Sequence, residues 1–278
     1  MRLKLFFSSI FFFSPCSYAE DINFTQYYKD AEGCFLLYDV QNDKNVIEYK
    51  TDLCSSPTPP NSTFKIPLSL IGYDKKILST ESSPTWEYKK EYLRDGVKDW
   101  MPKQWLGPVN PKIWLKYSVV WFSEKLVHEI GEKNIEIYLN KFDYGNKDFN
   151  GISSDKEKLL IPWIDSSLKI TAYEQLKFMK KLVKNELSVS KQAFIMTKNN
   201  LFLEDKSVID KVYGKTGAGY LENRIAHGWF VGWVEKSNKQ YIFISQIKDK
   251  IPNGKFNHIV AKNNTFEFLK KLGFQLGK

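Results

Sequence analysis

Strand-like segments lie at the two ends of this chain and helix-like segments lie between them, an arrangement that leaves few folds open. Gly33 to Val40 and Asn45 to Lys50 are rich in β-branched and aromatic residues, and Gln41-Asn42-Asp43-Lys44 between them has the composition of a hairpin turn. Near the other end Val212 to Thr216, Ile225 to Glu235 and Gln240 to Gln246 repeat the pattern, the last two separated by the turn Ser237-Asn238. The centre is different. Trp114 to Glu129, Lys133 to Phe142 and Ala172 to Asn185 place apolar residues at helical spacing, and a last helix is expected over His258 to Leu272. The expected fold is therefore α+β: an antiparallel sheet that joins the two termini, flanked by N- and C-terminal elements, with a mainly helical central region.

The first nineteen residues are set apart from that fold as a secretory signal. Arg2 and Lys4 form a positive start, Leu5 to Phe13 an apolar stretch and Ser17-Tyr18-Ala19 a cleavage site. The apolar stretch is far shorter than the ~20 residues a spanning helix needs. A lipoprotein site at Cys16 would want a leucine and small residues before it, and Phe13-Ser14-Pro15 is a poor match. The expected layout is signal over 1–19 and one domain over 20–278, exported to the periplasm with no membrane anchor after cleavage. Removing Arg2 and Lys4 lowers the formal net charge from +9 to +7, and the remaining lysines are scattered rather than clustered, so no nucleic-acid partner is expected.

Cleavage leaves Cys34 and Cys54, whose spacing permits a disulfide in an oxidising compartment; whether they pair depends on geometry. The three histidines, His128, His227 and His258, stand far apart and no Cys-x-x-Cys occurs, so no metal site is expected.

A serine with a lysine three residues on sets hydroxyl and amine on one face of a helix, where the amine can take the hydroxyl proton. The pattern alone is weak, because it begins at five serines: Ser62, Ser153, Ser166, Ser188 and Ser245. Only Ser62 follows a proline-rich loop, Ser55 to Asn61, and opens an apolar helix through Ile66, Leu68, Leu70 and Ile71, although Pro67 threatens a kink there. Backbone amides at such a helix start can also stabilise a developing oxyanion. Lys215-Thr216-Gly217 at the edge of the C-terminal strands offers a cation and a hydroxyl to an anionic group, and Ser118-Val119-Val120 offers a hydroxyl against an apolar wall.

In this order and spacing the three elements match the active site of penicillin-recognising serine enzymes. Within that group the chain resembles class D (oxacillinase-type) serine β-lactamases. The likeness runs from about Gly33 to the C-terminus through Ser62-Thr63-Phe64-Lys65, Tyr117-Ser118-Val119-Val120-Trp121, Tyr144-Gly145-Asn146, Trp163 with Leu168-Lys169-Ile170, Glu174-Gln175, Lys215-Thr216-Gly217 and Gly228-Trp229-Phe230-Val231-Gly232. Glu32 to Asp39 and Tyr213 to Gly219 resemble its oxacillin-hydrolysing branch.

The resemblance implies a transpeptidase-like catalytic domain and hydrolysis of β-lactams through an acyl-serine at Ser62. The amides of Ser62 and Ala218 would form the oxyanion hole. Lys65 would be an N6-carboxylysine, formed from carbon dioxide or bicarbonate and no other cofactor, and would act as general base. Trp163 would hydrogen-bond the carbamate, and Val120 and Ile164 would shelter it. Ser118 would pass a proton to the leaving nitrogen, while Lys215, Thr216 and Gly217 would hold the substrate carboxylate. Many members add an arginine near the last helix; Ile251 to Lys262 has none, so Lys215 and Thr216 suffice or Lys255 assists. Trp114 and His227 are expected to be packed side chains, and Tyr144, Gly145 and Asn146 scaffold. The alternatives are a penicillin-binding DD-carboxypeptidase and a non-hydrolytic β-lactam sensor domain.

Overall fold

A computed structural model of the chain describes residues 22–93, 96–151, 161–203, 209–252 and 257–276. The expected signal segment, Ser153 and Lys255 lie outside the described residues. A single helical turn, α1 (Phe24–Tyr27), precedes the hairpin β1 (Ala31–Asp39) and β2 (Lys44–Tyr49). A 3-10 turn at Asn61–Phe64 runs directly into α2 (Lys65–Asp74). The central helices are α3 (Pro111–Tyr117), α4 (Val120–Ile130), α5 (Glu132–Phe142), α6 (Ala172–Val183) and α7 (Lys191–Leu201). The strands β3 (Lys211–Tyr220), β4 (Ala226–Lys236) and β5 (Lys239–Asp249) and the helix α8 (His258–Lys271) complete the chain.

The five strands form one antiparallel sheet in the order β2-β1-β5-β4-β3. The first strand thus lies beside the last, with Leu36 opposite Ile244. Side chains alternate between the faces of a strand. Leu36, Tyr38, Val231, Ile242 and Ile244 pack with the central helices, and Phe35, Leu37, Phe230 and Phe243 pack with Ala261, Phe268 and Leu269 of α8. Because both faces are covered, β1 reads as an unbroken apolar run from Cys34 to Tyr38. α2 lies in the middle of the helical layer and is buried on every side, which is why Leu68, Leu70 and Ile71 show no polar counter-face. Pro67 falls in its first turn, where an α-helix leaves its N–H groups without partners, so it removes no bond of α2.

Three elements differ from the expected ones. The helix expected over Trp114 to Glu129 is two helices, broken where Ser118 takes a left-handed conformation with φ 56°. The first of them also starts earlier, at Pro111, capped by Asn110, whose side chain accepts from the Ile113 N–H at 2.9 Å. α7 was not expected at all, because its buried positions, Ala193, Thr197, Asn200 and Leu201, are half polar and blur the helical period. β3 runs on past Thr216 to Tyr220, carrying Gly217, Ala218 and Gly219 as strand residues. Cys34 and Cys54 form a disulfide with Cα atoms 5.3 Å apart, tying β1 to the turn before the proline-rich loop.

Candidate active site

The Ser62 turn is held from three sides by the residue before it. Asn61 is left-handed, with φ 48°, and its N–H donates to the Trp163 carbonyl at 2.9 Å. Its Oδ1 accepts from the Asp165 N–H at 3.2 Å, and its Nδ2 lies 2.8 Å from His227 Nε2. With the amide oriented that way, Asn61 Nδ2 donates and His227 Nε2 accepts. Thr63 Oγ1 donates to the Pro60 carbonyl at 2.7 Å and accepts from Gln175 at 3.0 Å, a second tie on the other side of Ser62. One helical turn on, Lys65 Nζ stands 3.4 Å from Ser62 Oγ. Lys65 is wholly buried. Burial pushes its ammonium well below the usual lysine range, and the charge of Lys215 adds to the effect.

Lys215 reaches the same place from β3. Its Nζ donates a close hydrogen bond to Ser118 Oγ and a second, at 3.1 Å, to the Thr216 carbonyl. The break between α3 and α4 is what turns Ser118 toward it. Burial, with the nearby charge of Lys262, lowers the Lys215 ammonium to about 7. Trp163 is buried against Phe64 and Phe149, with ring centroids 5.3 and 5.8 Å away. Its indole N–H is buried and has no acceptor among the described residues. Val120, at the start of α4, and Ile164, beside Trp163, are partly buried against the same core.

β3 is an edge strand, and the turn around Ser62 packs against it at Gly217 and Gly219. The Leu203 N–H donates to the Val212 carbonyl at 2.9 Å, so Val212 points away from β4, and the period of two sends Gly214, Thr216 and Ala218 the same way. Two glycines permit the approach. A Cβ on Gly217 would sit 2.7 Å from the Pro60 carbonyl oxygen, and one on Gly219 would sit 2.0 Å from Asp165 Oδ1. The Ala218 amide thereby points away from β4, and the residue stands between the two glycines that meet the Ser62 turn.

Residues 33–267 match the family described as the penicillin binding protein transpeptidase domain. β-Lactamase OXA-1 of Escherichia coli is 35% identical over 247 residues, which is 88% of this chain and 86% of that protein. The solved structure of OXA-427 class D β-lactamase superposes with a TM-score of 0.74 and 36% identity, over 87% of this chain and all of that one. The chain belongs to the class D β-lactamase family. The methicillin resistance mecR1 protein of Staphylococcus aureus is 31% identical over 84% of this chain but only 37% of its own length.

The other residues singled out in the sequence fall around this class D site in supporting positions. Tyr144 is buried and accepts from Gln175 at 3.4 Å. Asn146 donates to the Ser167 carbonyl at 2.8 Å and accepts from the Lys169 N–H at 3.0 Å, while a Cβ on Gly145 would meet the Lys169 carbonyl at 2.2 Å. Gly145 and Asn146 therefore pin the segment that follows Trp163, while Tyr144 packs against Phe64 and Phe178. Trp114 is a core residue whose indole donates to Ser123 at 2.8 Å. Among the other serine-lysine patterns, Ser245 is buried on β5 and donates to the Ala261 carbonyl at 3.3 Å, and Ser188 is exposed ahead of α7. His227 is packed in β4, but its contact with Asn61 also couples the strand to the Ser62 turn, and nothing in the sequence pairs two residues so far apart. No cluster of three or more metal-binding side chains occurs among the described residues, and no described helix is long and apolar enough to cross a membrane.

Proposed function

We propose that this enzyme hydrolyses β-lactams through an acyl-Ser62 intermediate, with Lys65, carboxylated on Nζ, as general base. The observation that carries the reading is the buried Lys65, its charged form disfavoured by burial and by Lys215, 3.4 Å from Ser62, with Lys215 hydrogen-bonded to Ser118. Lys215 and Thr216 hold the substrate carboxylate and set the lactam over the turn. Ser62 Oγ gives up its proton to the Lys65 side chain and attacks the lactam carbonyl, while the amides of Ser62 and Ala218 stabilise the oxyanion. The C–N bond then breaks as Ser118 protonates the departing nitrogen, and the proton that Lys65 took from Ser62 passes by way of Lys215 to Ser118, so that Lys65 is free to act again. A water molecule attacks the acyl ester as Lys65 takes its proton, and that proton returns to Ser62 Oγ as the ester C–O bond breaks.

Carboxylation fits the surroundings. Only a neutral amine takes up carbon dioxide, and the buried indole N–H of Trp163 needs an acceptor. The added carboxylate supplies an anionic base that serves both acylation and deacylation. Val120 and Ile164 keep bulk water from it. We further propose export to the periplasm, with 1–19 removed and 20–278 acting as one catalytic domain. The signal-like composition and the Cys34–Cys54 disulfide support this.

The test is incubation of the purified protein with a chromogenic β-lactam, with and without bicarbonate after degassing at mildly acidic pH. Turnover beyond one equivalent, restored by bicarbonate, is expected. Ser62→Ala should lower it by on the order of 10⁴-fold or more and leave no covalent adduct by mass spectrometry. Acylation that stops at one equivalent would instead favour the sensor or carboxypeptidase reading.

A further inference from the structure

Lys215 also borders a space that Ser62 and Lys65 do not line. A cavity of about 360 Å³ is lined by Lys215 and Thr216 on the free edge of β3, by Phe230, by Lys116 on the last turn of α3 and by Lys262 on α8. Its described lining includes no acidic side chain. Lys262 is partly buried and forms no ion pair among the described residues. Its burial lowers its own ammonium, and its charge lowers that of Lys215. Two like charges are thus withdrawn from water side by side, an arrangement that an anion in the cavity relieves on both counts.

One anion is accounted for, the ring carboxylate at Lys215 and Thr216. In a cephalosporin the ring carbon that bears the 3-substituent is bonded to the carbon that bears this carboxylate. Holding the carboxylate at Lys215 therefore directs the 3-substituent into the cavity, while the acyl side chain leaves from the opposite end of the molecule.

We propose that the cavity between Lys215, Lys116 and Lys262 is a second anion subsite, by which the enzyme prefers β-lactams carrying an acidic group on the substituent next to the ring carboxylate. The proposal rests on the hydrolytic reading above. The experiment compares kcat/KM for two cephalosporins that differ only in an acidic or a neutral 3-substituent, neither of them a leaving group. The proteins are wild type, Lys262→Met, Lys262→Arg, Lys116→Met and, as a remote control, Lys133→Met. The wild type is expected to favour the acidic compound by roughly tenfold at low salt, less at high salt. Lys262→Met should bring the ratio close to one and Lys116→Met should lower it, whereas Lys262→Arg and Lys133→Met keep it.

A wild-type ratio near one, or a ratio that Lys262→Met leaves unchanged, overturns the subsite. So does an equal loss on both compounds, which would confine Lys262 to the ring carboxylate. Failure of the hydrolytic reading shows up separately, as absence of a Ser62 adduct from either compound.

Discussion

Below about pH 7 the Lys215 side chain is an ammonium and can hold a carboxylate; above it, burial and Lys262 leave the amine neutral in the free enzyme. A bound carboxylate favours the charged form, so binding at higher pH must take up a proton. KM for an anionic substrate is therefore expected to rise above neutrality, by up to about tenfold per pH unit. Lys65 acts in the opposite sense: its lowered ammonium must stay deprotonated, so kcat falls at the acid end. A pH profile in which KM is flat above neutrality would contradict this assignment of Lys215. The principal residues were legible because their chemistry sits in short patterns, serine with lysine at helical spacing and lysine with threonine ahead of a glycine. The pair Asn61 and His227 and the charge of Lys262 were not. Their meaning comes from strands and a helix packed across the fold, and no local pattern announces it. Lys262 is brought beside Lys215 by the packing of α8 against the sheet, a neighbour that its position along the chain does not suggest.

Ser118 shows how an element boundary serves chemistry. It sits between α3 and α4 in a left-handed conformation that costs a non-glycine residue about 1–2 kcal/mol. That break turns its hydroxyl to Lys215. Glycine adopts the conformation freely, so Ser118→Gly is expected to be more stable than Ser118→Ala by roughly 1 kcal/mol, the reverse of the order inside a helix. Both should acylate on the order of 10²-fold more slowly or worse. Thermal melts and single-turnover acylation check the two halves, and an alanine variant as stable as glycine would mean that the backbone there is unstrained. The continuous apolar pattern from Trp114 to Glu129 concealed this break, since a single left-handed residue hardly disturbs the period on either side. α7 was hidden for the opposite reason. Its inward positions include Thr197 and Asn200, which hydrogen-bond Ser69 at 2.9 Å and Tyr73 at 2.7 Å on α2, and its one clear sequence signal is Ser190 as the helix cap.

For the molecule as a whole, the disulfide closes a loop of 20 residues between β1 and the turn that leads to Ser62. Chain-entropy arguments assign such a loop about 3 kcal/mol. Replacing both cysteines by alanine is expected to lower the denaturant midpoint accordingly while leaving the protein folded and active at room temperature. A midpoint indifferent to reductant would show that the bond does not form. The union of the termini was legible in the placement of the strands, but the layering was not, because an unbroken apolar run does not say which layer covers which face. That union also governs how the protein comes into being. Synthesis delivers β1 first, yet its partner in the register, Ile244 for Leu36, follows 208 residues later. Until then β1 has only the hairpin beside it, and an isolated two-stranded hairpin is marginal in water. The nascent chain must keep an open β edge from pairing with its neighbours until almost its last residues are made. A chain cut before Gln240 is thus no enzyme with a missing corner but a template for aggregation.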